Sequence, residues 1–157
     1  MSKDLKVSRQ CQESFSKANQ MLGLISRIIK YKNQEVLFNL YKSMVRPHLE
    51  YCCTVWSPHY MKDKQMLEKV QHRFTRMFPH FKNMLYEARL EEFGLWSLEE
   101  TRNRVDIIEA FTMVKQLSSV PRNRFFRRAE DSVTRGHSWK LVKESCRCDC
   151  RLHFFSQ

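Results

Sequence analysis

Four cations recur on one helical face in the first half of the chain: Lys62, Lys69, Arg73 and Arg76 fall within about a 60° arc at 100° per residue. They span roughly 21 Å at 1.5 Å per residue, long enough to follow several phosphates of a nucleic-acid backbone. An ordinary solvated face of a basic protein has the same composition, and Glu68 on the same segment offsets part of the charge. The carboxylates offer no comparable pattern. No adjacent acidic pair follows a hydrophobic strand, as two-metal nucleotidyl transfer requires, and no glycine-rich phosphate loop is present. Glu91-Glu92 and Glu99-Glu100 sit at solvent-facing positions of helical segments and read as surface charge.

Sulfur chemistry is the other candidate. Cys146, Cys148 and Cys150 with His153 offer soft ligands to zinc, but structural zinc sites space cysteines by two to four residues, and alternate residues of an extended chain point to opposite sides. No metal and no other cofactor is therefore expected. Cys11, Cys52 and Cys53 have no Ser-His-Asp or Cys-His grouping near them and read as buried small hydrophobes. Trp56 and Trp139 have faces on which a base could stack, although the apolar neighbours of Trp56 favour burial.

Bulk charge agrees with the basic face. The 157 residues carry 28 Lys and Arg against 17 Asp and Glu, a net +11 with a pI near 9.6, which favours polyanionic partners. Residues 1–82 hold 15 basic and 6 acidic residues, residues 83–117 hold 4 and 7, and residues 118–157 hold 9 and 4, so two basic blocks flank an acidic middle. Met1 to Gln10 has no apolar run of the secretory kind, and no stretch approaches the ~20 apolar residues of a spanning helix. The expectation is an intracellular chain, in cytoplasm or nucleus, with free thiols and no membrane partner.

The elements that must position these side chains are helices, since three Gly and four Pro leave long uninterrupted runs. Phe15, Ala18, Leu22, Ile25 and Ile29 predict a helix over 13–31. Asn33 caps a second, with Glu35 in its first turn and Val36, Leu37, Leu40, Tyr41, Met44 and Val45 as its buried stripe; Pro47 should kink or end it. A third helix over 62–78 buries Met66, Leu67, Val70, Phe74, Met77 and Phe78. Leu85, Leu90 and Phe93 suggest a short helix closing at Gly94. Ser97 and Glu100 form a capping box for another helix, with Leu98, Val105, Ile108, Phe111 and Leu117 toward the core. Beyond Ser118 the periodicity fades, and residues 119–157 read as extended or partly disordered.

Longer stretches of the chain resemble a known family. Leu40-Tyr41-Lys42-Ser43-Met44-Val45-Arg46-Pro47-His48-Leu49-Glu50-Tyr51, then Val55-Trp56-Ser57-Pro58 and Leu67-Glu68-Lys69-Val70-Gln71, are similar to the region downstream of the palm in reverse transcriptases of non-long-terminal-repeat, LINE-type retrotransposons. The similarity extends through Lys17-Ala18-Asn19, Leu22-Gly23, Gly94-Leu95, Ser97-Leu98-Glu99, Arg135-Gly136-His137-Ser138 and His153-Phe154-Phe155-Ser156. The resemblance implies a thumb and the stretch after it, which grips the template-primer duplex while an upstream palm, with the metal-binding aspartates, performs the chemistry.

The expectation is thus an all-α chain: a residual palm-strand end at 1–12, a helical thumb-like domain over 13–118 and a basic extended segment over 119–157. It is not an enzyme on its own, having no catalytic residue. Its partner would be RNA or an RNA–DNA duplex, bound weakly and salt-sensitively through Lys62, Lys69, Arg73 and Arg76. A protein-interaction or self-association module, using an apolar thumb face orphaned from the palm, is the competing reading, and a non-functional relic a third.

Overall fold

Periodic burial starts one turn earlier than the predicted first helix. The computed structural model describes residues 7–30, 33–129 and 140–142, and in it α1 spans Ser8–Ile28, because Cys11 and Ser14 extend the buried stripe of Ala18, Leu22 and Ile25 toward the N-terminus. Ser8 to Gln12, expected as the end of a palm strand, are therefore helical. The Ser8 hydroxyl ties this end down by donating to Asp63 at 2.5 Å.

Asn33 caps α2 (Gln34–Leu40) as expected, its side chain accepting from the backbone N–H of Glu35 and Val36 at 2.9 and 3.3 Å. Pro47 does not end the helix. It cannot donate to the carbonyl four residues back, and the chain widens into a π turn at Tyr41–Val45, where Arg46 N–H reaches Tyr41 O, before α3 continues over Arg46–Glu50. In this widened register Leu37, Tyr41, Val45 and Leu49 face the core, whereas Val36 and Met44 of the predicted stripe are exposed. Cys52 takes a left-handed backbone (φ 52°), turning the chain into the single-turn α4 (Cys53–Trp56). Cys53 and Trp56 are buried there, with the Trp56 indole donating to Tyr51 O at 2.7 Å, and Cys52 is exposed rather than buried.

α5 (Met61–Thr75) packs against α1, and the π turn and α3 close over α1 beside it. Phe74 is the hub. Its ring stacks on Tyr41 at 4.0 Å and meets Phe78 and Phe93 at 5.6 Å, and Phe81 joins this aromatic cluster through Phe78 and Phe93. A 3₁₀ turn at Pro79–Phe81 leads to α6 (Tyr86–Phe93), which Gly94 closes at φ 58°, with Leu95 N–H returning to Leu90 O at 2.8 Å.

α7 (Leu98–Val114) opens on the predicted capping box: Glu100 N–H donates to Ser97 Oγ at 3.2 Å and Ser97 N–H to Glu100 Oε2 at 3.0 Å. Its predicted core face is not one. Leu98 is buried, but Val105, Ile108, Phe111 and Leu117 are exposed, Leu117 by 74%. The chain divides into two compact units, Met1–Arg102 and Asn103–Gln157, so only the first turn of α7 belongs to the first core. Within the second unit, Arg127–Arg128 (β1) and Leu141–Val142 (β2) form a two-residue antiparallel pair after a 3₁₀ turn at Arg122–Arg124. Trp139, Cys146, Cys148, Cys150, His153 and the remaining C-terminal residues lie outside the described residues.

Candidate nucleic-acid interface

Because Leu67, Val70, Gln71, Phe74 and Thr75 are buried, α5 cannot rotate about its axis without opening the core. That fixes its opposite side. Lys62, Lys69, Arg73 and Arg76 are all exposed, and no carboxylate among the described residues forms an ion pair with any of them. Arg73 Nη1 donates to Asn19 Oδ1 on α1 at 2.5 Å, which steadies one guanidinium at the seam between the two helices. Three of the four cations converge further: Lys69, Arg73 and Arg76 line an open depression of about 600 Å³ together with His72 and Met77. Lys62 is not part of that lining. Met77, predicted to be buried, is half-buried and borders the cations.

Glu68 does not offset this face. Its carboxylate turns inward, where Oε1 accepts from the Tyr86 hydroxyl and Oε2 from Leu98 N–H at 3.0 Å. Burial pushes this carboxyl above its usual range, opposed by the hydrogen bonds from Tyr86 and Leu98 and by the charge of Arg102. The same polar seam runs through Gln71, which accepts from the Tyr41 hydroxyl at 2.8 Å and donates to Trp96 O at 2.9 Å. Its burial explains the inward pull, since each buried polar atom needs a partner.

His72 is the residue that sequence reading passed over. Its ring stacks on Tyr86 at 3.5 Å with 16° between planes, and it borders the same depression. Burial, then the charges of Arg89 and Arg76, hold its pKa below the usual histidine value, opposed by Glu87. A helical wheel places it about 40° beyond the edge of the cationic arc, adjacent to Arg76. Two other cations are withdrawn from the surface. Arg89 donates from Nη1 to Thr75 Oγ1 at 3.0 Å, and Arg102 donates from Nη2 to Leu49 O at 2.7 Å while lying over the Trp56 ring. Both are buried and unavailable to a phosphate.

Burial pushes the Cys11 thiol up to about 11, so it stays protonated at neutral pH. Among the described residues no group of three or more His, Cys, Asp or Glu is placed to hold a metal ion, and no helix is long and apolar enough to cross a membrane. No family model matches the chain, and no curated protein or solved structure is detectably similar to it.

Proposed function

We propose that this chain is a thumb-like portion of a LINE-type reverse transcriptase, and that it binds the backbone of RNA or an RNA–DNA duplex rather than catalysing a reaction. One observation carries the reading: α5 presents four exposed cations without acidic partners among the described residues, on a face whose direction is fixed by a fully buried opposite side. The residues that carry the family resemblance, from Leu40 to Tyr51 and from Leu67 to Gln71, build the π turn, α3 and the centre of α5 behind that face. Contacts of this kind position a protein on a duplex without reading sequence. Four phosphate contacts would weaken duplex binding on the order of a hundredfold between 50 and 200 mM salt. A titration of the chain with a labelled RNA–DNA hybrid across that range tests the reading, and a flat response contradicts it.

A second reading is favoured by α7, where Ile107, Ile108 and Phe111 are each more than half exposed. A contiguous apolar surface of this kind suits association with a protein, including another copy of the chain. Salt separates the two, because apolar association does not weaken as salt rises.

A further inference from the structure

The four cations of α5 are not equivalent. Lys62 lies about 10 Å along the helix from Lys69 and stands apart, whereas Lys69, Arg73 and Arg76 gather around one concavity within the last two turns. A continuous duplex backbone needs only a ridge of cations, since each of its phosphodiesters carries a single charge. Three cations around a depression of about 600 Å³ exceed that need in charge and in shape. A phosphomonoester matches both, with a charge of about −1.5 to −2 at neutral pH and three strong acceptor oxygens. Arginine forks suit such a group because they donate pairs of hydrogen bonds in a plane.

The rest of the lining fits what a terminal phosphate is attached to. His72 and Met77 give the depression an aromatic and a thioether edge, able to pack against a sugar or base. The frame is firm where it must be. Phe74 and Phe78, both buried, anchor the chain on either side of Arg76 and Met77, Tyr86 supports the His72 ring, and Asn19 holds Arg73 by one nitrogen while leaving the guanidinium's other donors for a ligand.

We infer that the depression at the end of α5 binds a terminal phosphomonoester of nucleotide chemistry, at a strand end or on a free nucleotide, with Lys69, Arg73 and Arg76 on the phosphate. The inference rests on the reading of the α5 face as a phosphate-binding surface. The test uses the full chain and one RNA–DNA hybrid prepared with 5′-phosphate, 3′-phosphate or only hydroxyl ends, followed by fluorescence anisotropy at fixed salt. A phosphorylated end should bind about five- to tenfold tighter than the hydroxyl-ended hybrid. Arg76→Gln and, separately, Lys69→Gln should erase that preference, while Lys62→Gln should weaken all hybrids alike and preserve it. Adenosine monophosphate, with adenosine as its control, separates the sources: competition at the concentration effective for the phosphorylated strand points to the free nucleotide, and failure to compete points to the strand end. Equal affinity for all ends with a steep salt dependence overturns the inference and leaves backbone binding standing. Equal loss of preference in Lys62→Gln and Arg76→Gln overturns it in favour of diffuse attraction. Absence of salt-dependent binding to any hybrid removes both readings.

Discussion

α5 and α7 are helices of similar length, 15 and 17 residues, and both carry apolar residues at helical spacing, yet they differ in what that spacing accomplishes. In α5 the apolar positions Leu67, Val70 and Phe74 are sealed, and the polar side is left as a surface of fixed direction. In α7, from Val105 onward, Ile107, Ile108 and Phe111 face solvent while Met113 is buried. Amphipathic spacing specifies that a face exists; a covering surface must come from elsewhere in the fold. α5 has α1 and the aromatic cluster, and that is why its charges form a surface with a definite direction.

The sharpest way to break this contrast is to truncate one ring on each helix. Phe74→Ala should cost about 3–5 kcal/mol, because it removes the partner of Tyr41, Phe78 and Phe93 and leaves a cavity. Phe111→Ala, at a residue 55% exposed, should cost under about 0.5 kcal/mol. Urea denaturation measures both, and comparable losses would mean that the α7 face is covered after all.

A smaller effect tests the local signals that connect the two helices. Gly94→Ala should destabilise by about 1–2 kcal/mol through its left-handed backbone alone, since an added Cβ meets no atom within 4 Å. A loss well beyond that range, read from the same denaturation curves, would point to packing at Gly94.

Local signals of this sort were legible in the sequence. Asn33, Gly94 and the Ser97–Glu100 box satisfy backbone groups within a few residues, so residue type and spacing suffice to find them. Pro47 was legible as a disturbance but not in its outcome, because a π turn or a break depends on whether Tyr41 and Leu49 both find the core. The cationic arc was legible because it is a property of one helix. Its surroundings were not: Glu68 turns inward only because Tyr86 and Leu98 N–H meet it there, and Arg89 and Arg102 are buried by contacts with Thr75 and Leu49, distant in sequence. His72 joins the depression through the same dependence, since Tyr86, not its own helix, positions the ring.

His72 also supplies the mildest probe of the α5 face. Its folded pKa lies below that of an unfolded histidine, about 6.5, so at pH 7 it is neutral and below that range it adds a charge beside Arg76. Hybrid affinity should therefore rise a few-fold as pH falls from 7 toward 5.5, and His72→Gln should flatten the change. Stability should move the other way: the contribution of a histidine with a depressed folded pKa is present above about pH 6.5 and is lost as pH falls through the folded value. Affinity that is independent of pH in both chains would separate His72 from the binding surface.

If α5, and not the overall charge, meets the nucleic acid, removing its cations must cost more than removing the same charge elsewhere. Replacing Lys62, Lys69, Arg73 and Arg76 together by Gln keeps good helix formers and removes the cations, so the fold should persist. A control replaces Arg122, Arg124, Arg127 and Arg128 by Gln, removing the same formal charge from the C-terminal block. With an RNA–DNA hybrid, the slope of log affinity against log salt should become shallower by up to about 3.6 in the α5 variant and change far less in the control. An unchanged slope in the α5 variant, or an equal change in both, would contradict the assignment of binding to this face.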